Sequence, residues 1–244
     1  ATKGNNQRKI YRDQSGGNHE VFESGNQILF RYSSDGGQSW QLTKRITDGV
    51  TINSYACISG RNSSLYVAWQ RANGSNWDIA YSTSSNGGQS WSQAYVKASN
   101  VACPSPGPLP VIMTSTPASS FQLLVVYKQS GNLVSEHSTF DPPNTGYWTT
   151  MSVGSTNSQS RNPSLAFDNS TGRFGLAWND DNKIYHQIYY TYYWANLTWV
   201  SSGSYMLSDQ SYPSYALTSY QDKHISWEGN YNGYRSIVEN KNLS

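Results

Sequence analysis

The hydrophobic residues of this chain fall into short β-branched or aromatic runs, which clusters of Gly, Asn and Ser separate. In the second fifth of the chain, runs of this kind occupy Tyr55–Ser59, Leu65–Gln70, Asp78–Thr83 and Ser92–Lys97. Such runs between turn residues predict β-strands. No segment has the 3.6-residue hydrophobic period and the end caps of an amphipathic helix. The pattern therefore predicts an all-β protein.

The strand pattern repeats about every 50 residues. The octapeptide at 33–40, Ser-Ser-Asp-Gly-Gly-Gln-Ser-Trp, recurs at 84–91 with Asn in place of Asp. A second series consists of β-prone runs that end in an aromatic residue, namely Phe22, Trp69, Tyr127, Trp178 and Trp227. A third series keeps the same order and consists of Trp40, Trp91, Trp148 and Trp199. Units of 40 to 50 residues with four strands each are typical of β-propeller blades.

The repeats predict five four-stranded blades in a single domain that covers residues 1–244. The predicted blades are 7–48, 49–100, 101–155, 156–208 and 209–244. The last unit ends after its third strand, so we expect residues 1–6 to supply the missing strand and close the ring. The alternative is that the sequence is part of a longer propeller. An immunoglobulin-like sandwich would not explain five copies that stay in phase.

Composition narrows the class of protein further. Only 13% of the residues are charged, and the chain contains 19 Tyr, 9 Trp and 6 Phe, which indicates a folded protein. The net charge is +2 with scattered Lys and Arg, so nucleic acid is not an expected partner. No apolar run approaches 18 residues, so no membrane span is predicted. Few charges with abundant Ser, Asn, Gly, Tyr and Trp indicate a secreted or cell-surface protein.

The metal-binding residue types are few and dispersed. The two cysteines, Cys57 and Cys103, cannot form the usual four-ligand zinc site by themselves. They lie in or next to the inner strands of adjacent predicted blades, so they are either a disulfide or two buried thiols. The four histidines fall in different units and form no closely spaced pair. The sequence therefore predicts no metal and no cofactor.

The two octapeptides fit the pattern Ser-x-Asp-x-Gly-x-x-Trp and resemble the Asp-box, or BNR repeat, of sialidase-like propellers. The residues that carry this resemblance are Ser33, Asp35, Gly37 and Trp40 in the first copy and Ser84, Asn86, Gly88 and Trp91 in the second. The resemblance implies a structural turn between the third and fourth strands, on the face away from the ligand. Asp or Asn would shape the turn, Gly would permit a positive φ, and Trp would pack between sheets.

In a propeller, the loops between second and third strands and the starts of the inner strands share one face with the channel mouth. The candidate ligand-binding residues at these positions are Glu23, Gln70, Arg71, Lys128, Arg161, Asn179, Asp180, Tyr212, Trp227, Glu228 and Tyr231. Carboxylates, amides, arginine and aromatic rings together suit polyhydroxylated ligands. We therefore expect a non-catalytic binding module, for a glycan or for an extracellular protein.

Two other functions stay open on the sequence alone. A sialidase-like exo-glycosidase would need an Arg triad, a Tyr nucleophile with its Glu, and an acid Asp. The Arg-Ile-Pro type sequence of that family is absent, although Arg12, Arg161 and Arg235 are available for a triad. The third possibility is a structural or adhesive fragment of a larger surface protein, with an unpaired edge at Tyr234–Glu239. No catalytic residue is assigned.

Overall fold

The computed structural model describes residues 8–103, 107–115, 119–139, 148–154, 156–168, 171–180, 183–190, 193–194, 198–200, 208–217, 223–231 and 234–241. These residues form β-strands joined by turns, which confirms the predicted all-β class. Within the described ranges, no helix has the length and the hydrophobicity that a membrane crossing requires.

The strands of the described ranges form five antiparallel sheets that follow chain order. The first sheet contains β1 (Ile10–Arg12), β2 (Asn18–Ser24), β3 (Gln27–Ser33) and β4 (Lys44–Arg45). The second contains β5 (Asn53–Arg61), β6 (Ser64–Asn73), β7 (Asn76–Ser84) and β8 (Tyr95–Val101). The third contains β9 (Val111–Thr114), β10 (Leu123–Gln129), β11 (Asn132–Ser138) and β12 (Thr149–Ser152).

The fourth sheet contains β13 (Arg161–Asp168), β14 (Arg173–Asp180), β15 (Lys183–Tyr190) and β16 (Tyr193–Trp194), and β17 (Thr198–Val200) also pairs with β15. In its described part, the fifth sheet contains β18 (Ser208–Leu217), β19 (Lys223–Tyr231) and β20 (Tyr234–Lys241). Residues 1–6, which we expected to close the ring, lie outside the described residues.

Consecutive sheets pack against each other through their first strands. Strand β5 contacts β1 and β2, β9 contacts β5, β13 contacts β9, and β18 contacts β13. The aromatic residues of four second strands are fully buried in the core between sheets, namely Trp69, Tyr127, Trp178 and Trp227. Phe22 on β2 is partly buried, and its ring lies under the guanidinium of Arg31. Burial of these rings supplies much of the apolar area that stabilises the fold.

The starts of the first strands share an unusual backbone conformation. Tyr55, Leu109 and Asn162 have φ angles of 54°, 48° and 53°, values that residues other than glycine rarely adopt. The strand pairing of β5 and of β13 shifts register close to these residues. We call the edge of the sheets where these first strands begin and the second strands end the upper edge. The opposite edge, where the octapeptides lie, is the lower edge.

The two cysteines are free thiols, so of the two alternatives that the sequence left open, the disulfide is the one that is not formed. Cys57 is buried, and its Sγ lies 3.3 Å from the carbonyl oxygen of Pro110 and 3.8 Å from that of Ala68. Its sulfur is therefore directed at the backbone around it, and burial raises its pKa to about 12. Cys103 is half-buried, and burial raises the pKa of this thiol as well.

Candidate functional site

The first octapeptide forms a closed turn between β3 and β4. Ser33 Oγ accepts a hydrogen bond from Gly37 N at 2.8 Å and donates to Asp35 Oδ1 at 2.7 Å. Asp35 also accepts hydrogen bonds from the backbone N–H of Ser39, at 2.9 Å, and from its hydroxyl, at 2.5 Å. The Asp35 carboxylate is thus occupied by its own turn, as a structural role requires.

The second octapeptide forms the same turn between β7 and β8. Ser84 Oγ accepts from Gly88 N at 2.9 Å and donates to Asn86 Oδ1 at 2.9 Å, and Asn86 Oδ1 accepts from Ser90 N at 2.9 Å. An amide oxygen therefore replaces Asp35 Oδ1 with the same hydrogen bonds. The remaining bond reverses direction, because Asn86 Nδ2 donates to Ser90 Oγ at 2.8 Å, whereas the Ser39 hydroxyl donates to Asp35 Oδ2. This equivalence explains why Asn is compatible with the Asp position of the motif.

The two tryptophans of the octapeptides have different surroundings. Trp91 packs edge-on against Phe30 of the neighbouring sheet, with 5.2 Å between ring centroids. Trp40 instead lies beneath the guanidinium of Arg31, which belongs to its own sheet and is 4.2 Å from the ring centroid. The expected packing between sheets therefore holds for Trp91.

The acid stability of the two turns provides a test of their equivalence. Hydrogen bonds from Ser39 and Ser33 hold the pKa of the exposed Asp35 below its ordinary value. The folded state thus binds fewer protons at Asp35 than the unfolded state, so this stabilisation is present above about pH 4 and is lost as the pH falls. We expect Asp35→Asn to remove this acid-dependent loss and Asn86→Asp to introduce one. Melting temperatures between pH 2 and pH 7 would measure both, and parallel profiles for all three proteins would contradict the prediction.

Three of the predicted ligand-binding side chains face the protein interior, which corrects their assignment. Gln70 is fully buried, and its Oε1 accepts a hydrogen bond from Leu109 N at 3.1 Å. Asn179 is fully buried, and its side-chain amide lies 2.8 Å from Asn162 Nδ2 and 3.1 Å from both the carbonyl oxygen and Nε of Arg161. Trp227 is 1% exposed, so its ring cannot stack on a sugar from solvent. Gln70 and Asn179 instead hold the starts of first strands in place, and Trp227 is part of the hydrophobic core.

Glu23 also contributes to the packing between sheets. Its Oε1 lies 3.2 Å from Lys9 Nζ and accepts a hydrogen bond from Ala56 N at 3.2 Å. Lys9 Nζ donates in turn to the Ala56 carbonyl oxygen at 2.5 Å. The carboxylate therefore connects the first sheet to the start of β5, at the upper edge.

Lys128, Arg161 and Asp180 come together at the upper edge between the third and fourth sheets. Burial lowers the pKa of Lys128, nearby Arg161 lowers it further, and Cys103 and Asp180 act in the opposite direction. Lys128 Nζ donates to the carbonyl oxygen of Ser158 at 2.6 Å. Arg161 is exposed, so this region offers two cationic side chains close to each other.

The carboxylate of this cluster is already bonded. Asp180 is buried, and its Oδ2 accepts a hydrogen bond from Asn157 Nδ2 at 2.9 Å. Asn157 in turn belongs to the loop that precedes β13, so the bond fixes the loop next to Arg161. The positive charges of Lys128 and Arg161 are therefore more accessible to a ligand than the negative charge of Asp180.

Arg71 belongs to a separate groove between the first and second sheets. Its guanidinium donates to Asp78 Oδ2 on the adjacent strand at 2.7 Å. The groove has a volume of about 430 Å³, and Asp48 and Trp91 line it together with Arg71. Sequence reasoning grouped Arg71 with the other candidate ligand-binding residues, because Arg71 directly follows Gln70 in the chain.

The remaining candidates cannot be placed as side chains. Tyr212, Glu228 and Tyr231 lie in strands β18 and β19, but their side chains are outside the described part of the structure. Their role in ligand binding stays a prediction. Among the described residues, no group of three or more His, Cys, Asp and Glu could hold a metal ion.

Sequence reasoning missed the contributions of Lys9 and Asn157, because both lie outside the loops between second and third strands. It also missed the positive φ angles at the starts of the first strands. A signal for these strand starts exists in the proline that follows two of the strained residues, in Leu109-Pro110 and Asn162-Pro163, and the same pairing recurs in Tyr212-Pro213. A proline favours extended backbone with a negative φ in the residue before it, so the dipeptide marks the strand start but does not predict the positive φ angles of Leu109 and Asn162.

The chain is similar in fold to several solved structures. A protein of unknown function from Dyadobacter fermentans DSM 18053 is 14% identical over 95% of this chain and 74% of its own, with a TM-score of 0.63. The K499G mutant of NanB sialidase from Streptococcus pneumoniae is 10% identical over 98% of this chain and 60% of its own, with a TM-score of 0.61. The GH43 endo-arabinanase from Bacillus licheniformis is 11% identical over 98% of this chain and 95% of its own, with a TM-score of 0.55.

These identities support a shared fold and nothing beyond it. The chain has the all-β, propeller-type architecture of sialidases and of GH43 enzymes. It spans 60% of the length of the NanB sialidase structure. No protein-family model matches the sequence, and no curated protein matches it either.

Proposed function

We propose that this chain is a five-bladed, Asp-box propeller with the predicted blade boundaries, and that it binds a glycan at the upper edge without cleaving it. The observation that carries the proposal is the pair of adjacent cations, Lys128 and Arg161, next to the strained start of β13. Irregular, strained backbone is concentrated at binding and catalytic sites, where it orients side chains toward a ligand.

The charge of the cluster favours an acidic sugar as the ligand. Arg161 is exposed, and its guanidinium can bind a carboxylate or sulfate group through two parallel hydrogen bonds. Lys128 adds a second positive charge nearby. Asp180, the neighbouring carboxylate, is buried and bonded to Asn157, so it does not contact the ligand directly, and the cluster of Lys128, Arg161 and Asp180 keeps a net positive charge.

The described carboxylates support binding over catalysis. Hydrolysis of a glycosidic bond usually needs two carboxyl groups that face one another across the bond. At the upper edge, Glu23 is held by Lys9 and by the backbone of Ala56, and Asp180 is held by Asn157. Neither is a free acid or base in a common pocket. The composition, which has few charges and many Ser, Asn and Tyr, supports a secreted or cell-surface location.

The proposal predicts selective binding to acidic glycans that depends on the two cations. Purified chain applied to an array of neutral, sialylated, uronic-acid and sulfated glycans should bind the acidic ones, more weakly as ionic strength rises. Arg161→Gln and Lys128→Gln should each weaken binding about 10- to 100-fold, since each removes a charge-assisted hydrogen bond. Arg12→Ala is the matched control, because Arg12 is an exposed arginine at the lower edge.

The outcomes separate the competing functions. Absence of binding to every acidic glycan, or binding by Arg161→Gln equal to that of the unmodified chain, would refute the upper-edge site. Release of free sugar from a bound glycan would refute the non-catalytic part and favour an exo-glycosidase. Circular dichroism of each variant would confirm that the fold is retained.

A further inference from the structure

A second polar cavity lies at the lower edge, between the first and second sheets. Its volume is about 480 Å³, within the range of small-molecule sites. Three turns surround it: the β1–β2 turn, the β5–β6 turn and the second octapeptide. Gly87 N donates a hydrogen bond to the carbonyl oxygen of Ser63 at 2.8 Å. This bond joins the second octapeptide to the β5–β6 turn and so fixes that part of the cavity wall. The cavity is therefore separate from the upper-edge cluster and from the groove that contains Arg71.

Side-chain amides that make no hydrogen bond to other described residues line this cavity. Gln41, Asn62 and Gln89 contribute side chains to the wall, and none of them makes a side-chain hydrogen bond to another described residue. Each amide supplies two donor hydrogens and one acceptor oxygen. Alternating donors and acceptors of this kind complement sugar hydroxyl groups, which both donate and accept.

One partly exposed ring, that of Tyr32, provides an apolar surface in the same cavity, and the buried ring of His19 packs against it. The rings of Tyr32 and His19 lie 4.8 Å apart between centroids, and both residues line the wall. The side chain of His19 is 4% exposed, and its Nε2 lies 2.8 Å from Asp13 Oδ2. Its Nδ1 is buried and has no hydrogen-bond partner among the described residues. The Tyr32 ring beside the exposed amides of Gln41, Asn62 and Gln89 suits the apolar face and the hydroxyl edge of one sugar.

The charges of the lining argue for a neutral ligand. Among the described residues, Asp13 is the acidic member of the lining, and no lysine or arginine belongs to it. An anionic sugar would therefore meet the Asp13 carboxylate in the cavity, and Lys44, whose Nζ donates to the carbonyl oxygen of Gln89 at 2.5 Å, does not belong to the lining. A metal ion is also disfavoured, because Asp13 Oδ1 accepts from Ser15 N and Gly17 N, and Oδ2 is bonded to His19.

We propose that the lower-edge cavity binds one neutral sugar unit, as a site additional to the upper edge. The charges of the two sites are opposite, so they select different ligands. The lower-edge site selects an uncharged sugar through its amides and rings, and the upper-edge cations select an acidic one.

The test uses the full chain and the methyl glycosides of glucose, galactose, mannose, xylose and arabinose as probes. Saturation-transfer NMR should detect at least one of them on the unmodified protein. Ser63→Trp should abolish this binding, because Ser63 is an exposed wall residue and an indole would fill the cavity. Gln89→Ala should weaken it about 3- to 10-fold through loss of an amide hydrogen bond.

Gln38→Ala is the matched control, since Gln38 occupies the same position in the first octapeptide and does not line the cavity. The double variant Gln41→Ala/Gln89→Ala makes the test independent of the bulky substitution. Absence of binding by all five methyl glycosides, or equal binding by the unmodified chain and the double variant, would overturn the proposal. Arg161→Gln should keep methyl glycoside binding, and Ser63→Trp should keep acidic glycan binding, so failure of one site is distinguishable from failure of the other.

Discussion

Trp69→Ala is expected to lower the free energy of unfolding by about 3–5 kcal/mol, the usual cost of truncating a large buried aromatic residue. Trp69 is fully buried in the core cluster that joins the first and second sheets, where it packs with Val21 and Ile28. Its Nε1 also donates to Asn53 Oδ1 at 2.8 Å. The substitution would therefore leave a cavity between the sheets and remove the partner of a buried amide.

Urea denaturation followed by circular dichroism would measure this loss. Trp69→Phe keeps most of the ring and removes the indole N–H, so it should cost about 1–3 kcal/mol. Trp40→Ala is the matched control, because Trp40 is partly exposed and its observed ring contact is with Arg31, so about 1 kcal/mol is expected. A loss for Trp69→Ala no larger than that for Trp40→Ala would contradict the packing described above.

Glu136→Ala is expected to cost about 3 kcal/mol, because it leaves a largely buried lysine without its counter-ion. Lys97 Nζ on β8 lies 3.1 Å from Glu136 Oε2 on β11, and the two side chains are 14% and 4% exposed. Tyr127 donates to Glu136 Oε1 at 3.1 Å, and Thr150 donates to Oε2 at 2.8 Å. A single carboxylate thus satisfies three groups at the junction of the second and third sheets.

A double variant distinguishes the loss of the ion pair from the loss of side-chain packing. Lys97→Met/Glu136→Gln removes both charges and keeps a hydrogen-bond partner for each hydroxyl, because the amide oxygen can accept from one and the amide N–H can donate to the other. It should therefore recover most of the stability. Glu20→Ala is the control, because Glu20 pairs within one sheet with Arg31, whose side chain is 35% exposed, and such pairs contribute about 1 kcal/mol or less. Equal losses for Glu136→Ala and Glu20→Ala in urea denaturation would contradict the prediction.

The candidate sites could be predicted only in part, because a residue's place in the repeat does not determine which way its side chain points. Glu23 and Gln70 occupy equivalent positions at the ends of second strands, and both bind the backbone of the next sheet. Lys128 occupies the same position and also bonds the backbone before the next sheet, at the carbonyl oxygen of Ser158, yet it additionally places a positive charge near Arg161. The difference comes from the neighbouring sheet, whose residues the repeat does not specify.

The sequence by itself determined the all-β class, the repeating strands and the two octapeptide turns. These features depend on local rules, since strand periodicity, turn glycines and short-range hydrogen bonds such as Ser33 to Gly37 involve residues close in the chain. Only the tertiary structure decided that Cys57 and Cys103 stay unbridged, that Trp227 is core, and that a polar cavity forms at the lower edge. Each of these depends on how the strands of separate sheets approach one another, and contacts between residues about 50 positions apart are not encoded in any local pattern.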